Sequence, residues 1–339
     1  MSKIITVVGA TGTQGSSVIS ALLDNDTPTY TIRAITRNPQ SAAAQSLSAK
    51  GITVLKADLN DITSLRTAFA GTHAIFAVTN FFEALPTLGI QQAMDTETAQ
   101  GINLAIAAAQ TPTLEHYIWS TLPNSAVNSE GKVVVPYYES KNRVDAYIRS
   151  SLPDLLKKTT FLWLAWFAGN MLVPFYTPTR IRTLDGSKLY AQFLSIPPTT
   201  PIPLLGDEKT NAGLFVRAIL AQPHLTQSAH GRIVSTVLEY RPIEQVTELF
   251  SKRQGIQTRC LTLAKEDYKS LWPVWGEVFH LSHLYFEVMG TRAFSDVSGG
   301  QHEVEGEAQR EVLTNKDLGV KGLVGVEEVF ERLGVMEWE

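Results

Sequence analysis

Near the start of the chain stands Lys3-Ile-Ile-Thr-Val-Val-Gly9-Ala-Thr-Gly12-Thr-Gln-Gly15, a stretch that specifies the fold. A β-branched apolar run enters three glycines spaced three apart, and a helical pattern, Ser17–Leu23, follows at once. Glycine permits a tight turn and close backbone approach. The helix start behind it offers unpaired N–H groups and a positive dipole end to a pyrophosphate. Glycines by themselves mark any strand-to-helix turn; placed at the head of an α/β-patterned chain they predict a dinucleotide site. Working outward, strands are expected at Lys3–Val8, Tyr30–Thr36, Ile52–Lys56, His73–Val78, His116–Ser120 and Thr159–Leu164. Helices are expected between them at Gln14–Asp24, Pro39–Lys50, Asp61–Ala70, Gln91–Gln110 and Glu139–Ser150. Strands alternating with helices of this length specify an α/β fold with a doubly wound parallel sheet.

Beyond Phe167 the rhythm breaks. Pro174, Pro178, Pro197, Pro198, Pro201 and Pro203 punctuate a stretch with little long helix, before a strand-like run, Arg232–Thr236, and helices near Pro242–Arg253 and Lys265–Leu271. The aromatic-rich segment Trp272–Met289 reads as irregular, part of a smaller α+β lobe over the sheet's carboxyl ends, where open α/β folds bind ligands. Those aromatics serve equally well as the lobe's own core. The expected division is a dinucleotide-binding domain over 1–165 and a mostly substrate-binding lobe over 166–339, with 232–236 returning to the sheet.

The composition, 44% hydrophobic and 18% charged over 339 residues, is that of a globular protein with a substantial core. The net charge of −4 is uneven: from Gln301 onward ten acidic residues face four basic ones, an acidic tail best read as solvated helix faces. No basic, aromatic-laced stripe points to direct nucleic-acid binding. The single cysteine, Cys260, permits no internal disulfide and reads as a small buried side chain. The longest apolar run, Phe161–Gly169, is too short to span a bilayer, and the opening residues carry no leader pattern. The expectation is a cytoplasmic protein, monomer or homodimer, with no membrane partner.

The end of the second strand, Arg33-Ala-Ile-Thr36-Arg37-Asn38-Pro39, lacks the carboxylate that would hold the ribose 2′-hydroxyl of NAD. Arg37 can instead make a fork-shaped, charge-assisted contact with a 2′-phosphate, so the expected cofactor is NADP(H). Asp58, before Leu59, is placed either to bond the adenine amino group or to cap the next helix. Thr79 and Asn80 follow the fourth strand, where small polar residues border the ribose next to the nicotinamide. The sharpest catalytic pattern is Tyr137-Tyr138-Glu139-Ser140-Lys141. Tyr137 and Lys141, four apart, share a helix face, and an ammonium beside a phenol would bring its pKa down towards the working range. Ser120 and Thr121, ending the fifth strand, supply hydroxyls that could polarise a substrate carbonyl. Among the histidines only His280-x-x-His283 has ligand spacing, and it lacks further ligands, so no metal site is expected.

Taken together, Gly9-Ala-Thr-Gly12-Thr-Gln-Gly15, Thr36-Arg37-Asn38-Pro39, Val78-Thr79-Asn80, Trp119-Ser120-Thr121 and Ser140-Lys141-Asn-Arg-Val-Asp-Ala-Tyr147 resemble the NmrA-like group of atypical short-chain dehydrogenases/reductases. Trp166-Phe167-Ala-Gly-Asn170-Met171 resembles that group's aromatic-Asn segment, and the likeness covers about residues 3–260. The resemblance implies an NAD(P)-binding Rossmann fold, with Gly9, Thr11, Gly12, Thr13, Gln14, Gly15, Arg37, Asp58, Leu59, Thr79, Asn80 and Lys141 at the cofactor. It implies a substrate pocket that includes Phe81, Phe82, Phe167, Asn170 and Met171, bulky and apolar in character. Members divide between NADPH-dependent reductases of ketones, imines or activated double bonds, often in secondary metabolism, and non-catalytic redox-sensing regulators that act through a partner protein. Regulatory members typically lack the tyrosine four residues before the lysine. Tyr137 therefore favours an enzyme, with either Tyr137 or Tyr138 as the inward phenol, and Lys141 matters under either chemistry.

Overall fold

The computed structural model describes residues 2–24, 30–295 and 312–338; His302 and five of the tail's acids lie outside the described residues. The strands in chain order are β1 (Lys3–Val7), β2 (Tyr30–Thr36), β3 (Thr53–Lys56), β4 (Ala74–Ala77), β5 (His116–Thr121), β6 (Thr159–Trp163), β7 (Trp166–Phe167), β8 (Thr179–Ile181), β9 (Leu189–Leu194), β10 (Pro201–Gly206), β11 (Arg232–Ser235), β12 (Glu239–Pro242), β13 (Gln257–Thr262) and β14 (Val312–Leu313). The helices are α1 (Thr13–Leu23), α2 (Ala42–Ala49), α3 (Ile62–Phe69), α4 (Phe81–Ala109), α6 (Pro136–Ser151), α8 (Glu208–Ala221), α10 (Ile243–Gln254), α11 (Lys265–Leu271), α12 (Trp275–Met289) and α13 (Val326–Arg332), with single turns α5 (Ser125–Asn128), α7 (Pro153–Leu156) and α9 (Pro223–Thr226) between them.

Eight strands form one sheet in the order β14-β11-β6-β5-β4-β1-β2-β3, and every pairing in it is parallel. β4, β5 and β6 are buried along their whole length because helices cover both faces, which is why they read as continuous apolar runs rather than as an alternation. Alternate side chains feed two cores. Ile5, Val7, Phe76, Ile118 and Leu162 pack with α1 and α8, while Ile75, Tyr117, Trp119 and Phe161 pack with α3, α4 and α6. The order reverses between β1 and β4, so the loops at their carboxyl ends diverge and leave a crevice there.

Two close helix contacts depend on missing side chains. A Cβ on Gly213 of α8 would lie 2.1 Å from the Ser17 carbonyl oxygen of α1, and one on Gly101 of α4 would lie 2.5 Å from Val144 Cγ2 of α6. The second contact sets the spacing of the two helices that carry the polar centre described below.

The six leading strands and their helices stand within a few residues of expectation, and β11 joins the sheet as expected, flanked by β14. Two elements differ. α4 begins at Phe81, ten residues before the expected start, with a break at Gly89 (φ 73°, ψ 176°). Pro86 and Gly89 signal a loop locally, yet the Asn80 side chain accepts from the Phe82 N–H and starts a helical segment ahead of the break. Trp272–Met289 is not irregular: Trp275–Met289 is a continuous 15-residue helix. Its apolar residues face both the cavity and the core, so no polar stripe reveals the 3.6-residue period. The remaining strands form two three-stranded sheets, β12-β10-β7 and β13-β9-β8.

Candidate functional site

The glycine turn is built for close approach. Gly9 has φ +64°, and a Cβ on it would lie 2.9 Å from Val78 Cγ1; a Cβ on Gly15 would lie 2.3 Å from the Gly9 carbonyl oxygen and 2.8 Å from Ala10 Cα. Gly12 is the N-cap of α1 and makes no side-chain cap, so the first-turn N–H groups face the crevice without a protein acceptor. That is a cradle for a pyrophosphate, and the residues fit it.

A single cavity of about 630 Å³ runs from this turn across the sheet edge to the second lobe. Every expected cofactor residue lines it: Gly9, Thr11, Gly12, Thr13, Gln14, Gly15, Arg37, Asp58, Leu59, Thr79, Asn80 and Lys141. So do Ser120, Thr121, Tyr137, Phe81, Phe82, Phe167 and Asn170. Met171 does not: it is fully buried in the core, its sulfur 3.7 Å from Gln192 Nε2. The far wall is aromatic. Phe82 stacks on Trp275 and on Phe279, each with an interplanar angle of 11°, and Phe175 stacks on Trp275 at 27°.

At the adenosine end, Arg37 is ion-paired with Glu83, from the first turn of α4. The carboxylate absent from the end of β2 is thus supplied by another element. Asp58 Oδ1 accepts from the Asn60 N–H and side-chain amide. It is not the cap of α3, which is Asp61, accepting from Thr63 and Ser64.

The polar centre differs from the expected tyrosine–lysine pair. Lys141 is 8% exposed, and its Nζ donates to the Thr79 carbonyl (3.2 Å), Thr79 Oγ1 (2.9 Å) and Glu97 Oε1 (2.8 Å). The Tyr137 hydroxyl instead pairs with Ser282 Oγ of α12 at 2.8 Å. Burial is the main influence on that phenol and pushes its pKa up to about 12, so the expectation that Lys141 lowers it is corrected. Sharing a helix face allows two side chains to meet, but a nearby buried carboxylate competes for the ammonium and wins. Tyr138 is the more deeply packed of the two tyrosines, wedged edge-on against Tyr137 and Tyr285. Ser120 Oγ donates to Gln14 Oε1 at 2.8 Å, at the glycine turn. Thr121 Oγ1 donates to Asp145 Oδ2 at 2.9 Å, which commits its proton away from a substrate.

Glu97, Glu83, Ser282, Tyr176 and Glu208 were given no site role by the sequence, and His283 only a place in a histidine pair. Glu97 falls on the buried stripe Ala93, Glu97, Gly101, Leu104, Ala105 of α4, and a carboxylate at that register was the available signal. Glu83, Ser282 and the buried Tyr176–His283 pair (2.8 Å) are brought in only by the packing of α4 and α12. Glu208, in a segment that reads as a surface turn, is buried and accepts from the Gly169 N–H at 3.2 Å. No cluster of three metal-ligating side chains occurs among the described residues; His280 and His283 are buried in the aromatic lobe. No described helix is long and apolar enough to cross a membrane.

Fold and crevice together define a doubly wound dinucleotide-binding protein with an added aromatic lobe. The NmrA-like family model matches residues 1–312, and the chain belongs to that family. It is 27% identical over 313 residues to the NmrA-like family domain-containing oxidoreductase lnbB of Aspergillus flavus, covering 87% of this chain and 86% of that protein. It is 34% identical over 176 residues to the oxidoreductase hkm9 of Aspergillus hancockii, a match spanning 52% of this chain and half the length of that relative. Among solved structures, NmrA, a negative transcriptional regulator, in complex with NADP aligns with a TM-score of 0.68 at 24% identity, covering 98% of this chain and 95% of that one. The NADPH-dependent quinone oxidoreductase QOR2 of Escherichia coli, complexed with NADPH, aligns at 0.64 and 20% identity, covering 97% and 99%. At these identities the likeness to solved structures concerns the fold.

Proposed function

We propose that this protein is an NADPH-dependent reductase of a bulky, apolar carbonyl, imine or activated alkene. The observation that carries the reading is the continuity of the cavity: the glycine cradle, Lys141, Tyr137 and the Phe82–Trp275–Phe279 wall line one space. The relatives named oxidoreductases and the NADP(H)-bound neighbours support it. Bound there, the dihydronicotinamide supplies the hydride. Thr13, Gln14 and Gly15 N–H groups hold the pyrophosphate, Arg37 the 2′-phosphate, and Lys141 and Thr79 border the nicotinamide ribose. The aromatic wall excludes water and orients a flat acceptor. Ser120 lines the same space and would polarise the acceptor by exchanging its hydrogen bond to Gln14 for one to the substrate oxygen. Tyr137, with a pKa near 12, keeps its proton at working pH and can still give it to an alkoxide, which is a stronger base. With so little phenolate present at neutral pH, the reverse oxidation would be favoured only in strong alkali.

The test is NADPH oxidation, followed by absorbance, against a panel of aromatic ketones, cyclic imines and enones, beside a binding titration with NADPH. Turnover that is lost in Tyr137→Phe is the expected result. Tight NADPH binding without turnover anywhere on the panel would turn the reading towards an NADP(H)-binding regulator acting through a partner protein.

A further inference from the structure

We propose that Glu97 is a positioning residue of the site: its carboxylate fixes the Lys141 ammonium, and through it the nicotinamide ribose of NADPH. This rests on the reductase reading given above. Glu97 is 1% exposed, yet its nearest ionic partner, Lys141, comes from a different helix. Both carboxylate oxygens are engaged. Oε1 accepts from Lys141 Nζ and from Thr79 Oγ1, each at 2.8 Å, and Oε2 accepts from Ser140 Oγ. Three of its about four acceptor sites are taken and the side chain is buried, so it acts by holding other groups. The groups it holds come from three elements: Thr79 after β4, and Ser140 and Lys141 on α6. All three are gathered around a side chain of α4.

The arrangement answers a physical problem. A lysine on a helix flanking a crevice ordinarily extends its ammonium to water, because an unpaired buried charge is costly. Here Nζ stays inside, 5.4 Å from the centre of the Trp119 ring, because Glu97 neutralises it and Thr79 takes its remaining protons. The Trp119 ring is itself fixed, its Nε1–H donating to Asp145 Oδ1 at 2.7 Å. Gly101, one turn beyond Glu97, lets α6 approach closely enough for the contact to form. The pair also explains why Lys141 does not act on the Tyr137 phenol: its charge is spent on Glu97, leaving it fixed at the ribose side of the cavity, where a ribose hydroxyl would take the place of a Thr79 acceptor.

The experiment compares two probes by fluorescence or calorimetric titration. NADPH reaches both ends of the site, whereas adenosine 2′,5′-bisphosphate reaches only the Arg37 end. Glu97→Gln keeps the shape of the side chain and removes its charge. It should weaken NADPH by tenfold or more and the bisphosphate by less than twofold. In a Lys141→Met background the same substitution should weaken NADPH by less than twofold, since nothing remains to be positioned. Equal loss for both probes, or an equal NADPH loss with and without Lys141, would mean that Glu97 serves folding alone and would overturn the proposal. If Glu97→Gln does not fold, Glu97→Asp, which withdraws the charge by one methylene, takes its place with the same two outcomes. A wild type that binds the bisphosphate but gains nothing from the nicotinamide half overturns the positioning role; one that binds neither overturns the reductase reading beneath it.

Discussion

Replacing Glu83 by glutamine should tighten NADPH while leaving NADH nearly untouched. Arg37, the residue best placed for a 2′-phosphate, is paired in this structure with Glu83, so the phosphate has to displace a carboxylate of like charge. The magnitude follows from exposure. The two side chains are 63% and 52% exposed, and a pair so open to water is worth roughly 0–1 kcal/mol. Releasing Arg37 can therefore improve NADPH affinity by up to about fivefold. Salt screens exposed charges, so the gain should be clear at about 0.05 M salt and largely gone at about 0.5 M. NADH carries no phosphate at that carbon and should change by less than about twofold, and the thermal midpoint should move little, since the pair contributes at most about 1 kcal/mol. Titration of both nucleotides by fluorescence at the two salt concentrations decides the matter. Weaker or unchanged NADPH binding, or an equal gain for NADH, would refute the reasoning. Arg37→Gln is the complement: charge-assisted hydrogen bonds of about 1.5–3 kcal/mol are lost, weakening NADPH about tenfold to about 150-fold.

Gly15→Ala puts a methyl 2.3 Å from the Gly9 carbonyl oxygen, against backbone that has no easy retreat, and should cost about 1–3 kcal/mol of stability as well as most nucleotide affinity; a variant that binds NADPH normally would show the turn is not the pyrophosphate cradle. Tyr137→Phe should lower turnover by about a hundredfold or more at unchanged NADPH affinity, and because the phenol's pKa is raised to about 12, the wild-type reduction rate should not fall between about pH 8 and about pH 10. A rate that declines through an apparent pKa in that interval would restore a lysine-activated phenol. Stability should fall in acid: burial lowers His116 to about 4 and His283 to about 3, so each contributes stability that is present above about pH 6.5 and lost as pH falls towards those values. Buried Asp145, raised to about 6, works in the opposite sense over about pH 4 to 6, so the test is differential. Thermal midpoints of wild type and His116→Gln across that range should diverge, with the variant less sensitive to acid; parallel slopes would count against it.

The sheet and its cofactor edge were legible because each depends on short-range properties of the chain. Glycines at 9, 12 and 15 between a β-branched run and a helical pattern require a particular turn, and Arg37, just after the second strand, lines the cavity that begins there. The start of α4 and the helical nature of 275–289 were illegible for local reasons too: proline, glycine and all-round aromatic character mask a helix that packing nonetheless selects. Met171, next to true lining residues in sequence, turns into the core because one side of a 3₁₀ turn faces inward.

The amino-acid order alone determined a parallel α/β sheet, a glycine cradle at its crevice and the presence of a tyrosine and a lysine one helical turn apart. Only the tertiary structure decided whom they meet. Lys141 pairs with Glu97, 44 residues away, and Tyr137 with Ser282, 145 residues away, while Glu83 reaches Arg37 across 46. Periodicity specifies which face of an element a side chain occupies. The partner of a buried charge is set by which faces pack together, and here a close α4–α6 contact at Gly101 placed a carboxylate where the sequence pattern had suggested a phenol.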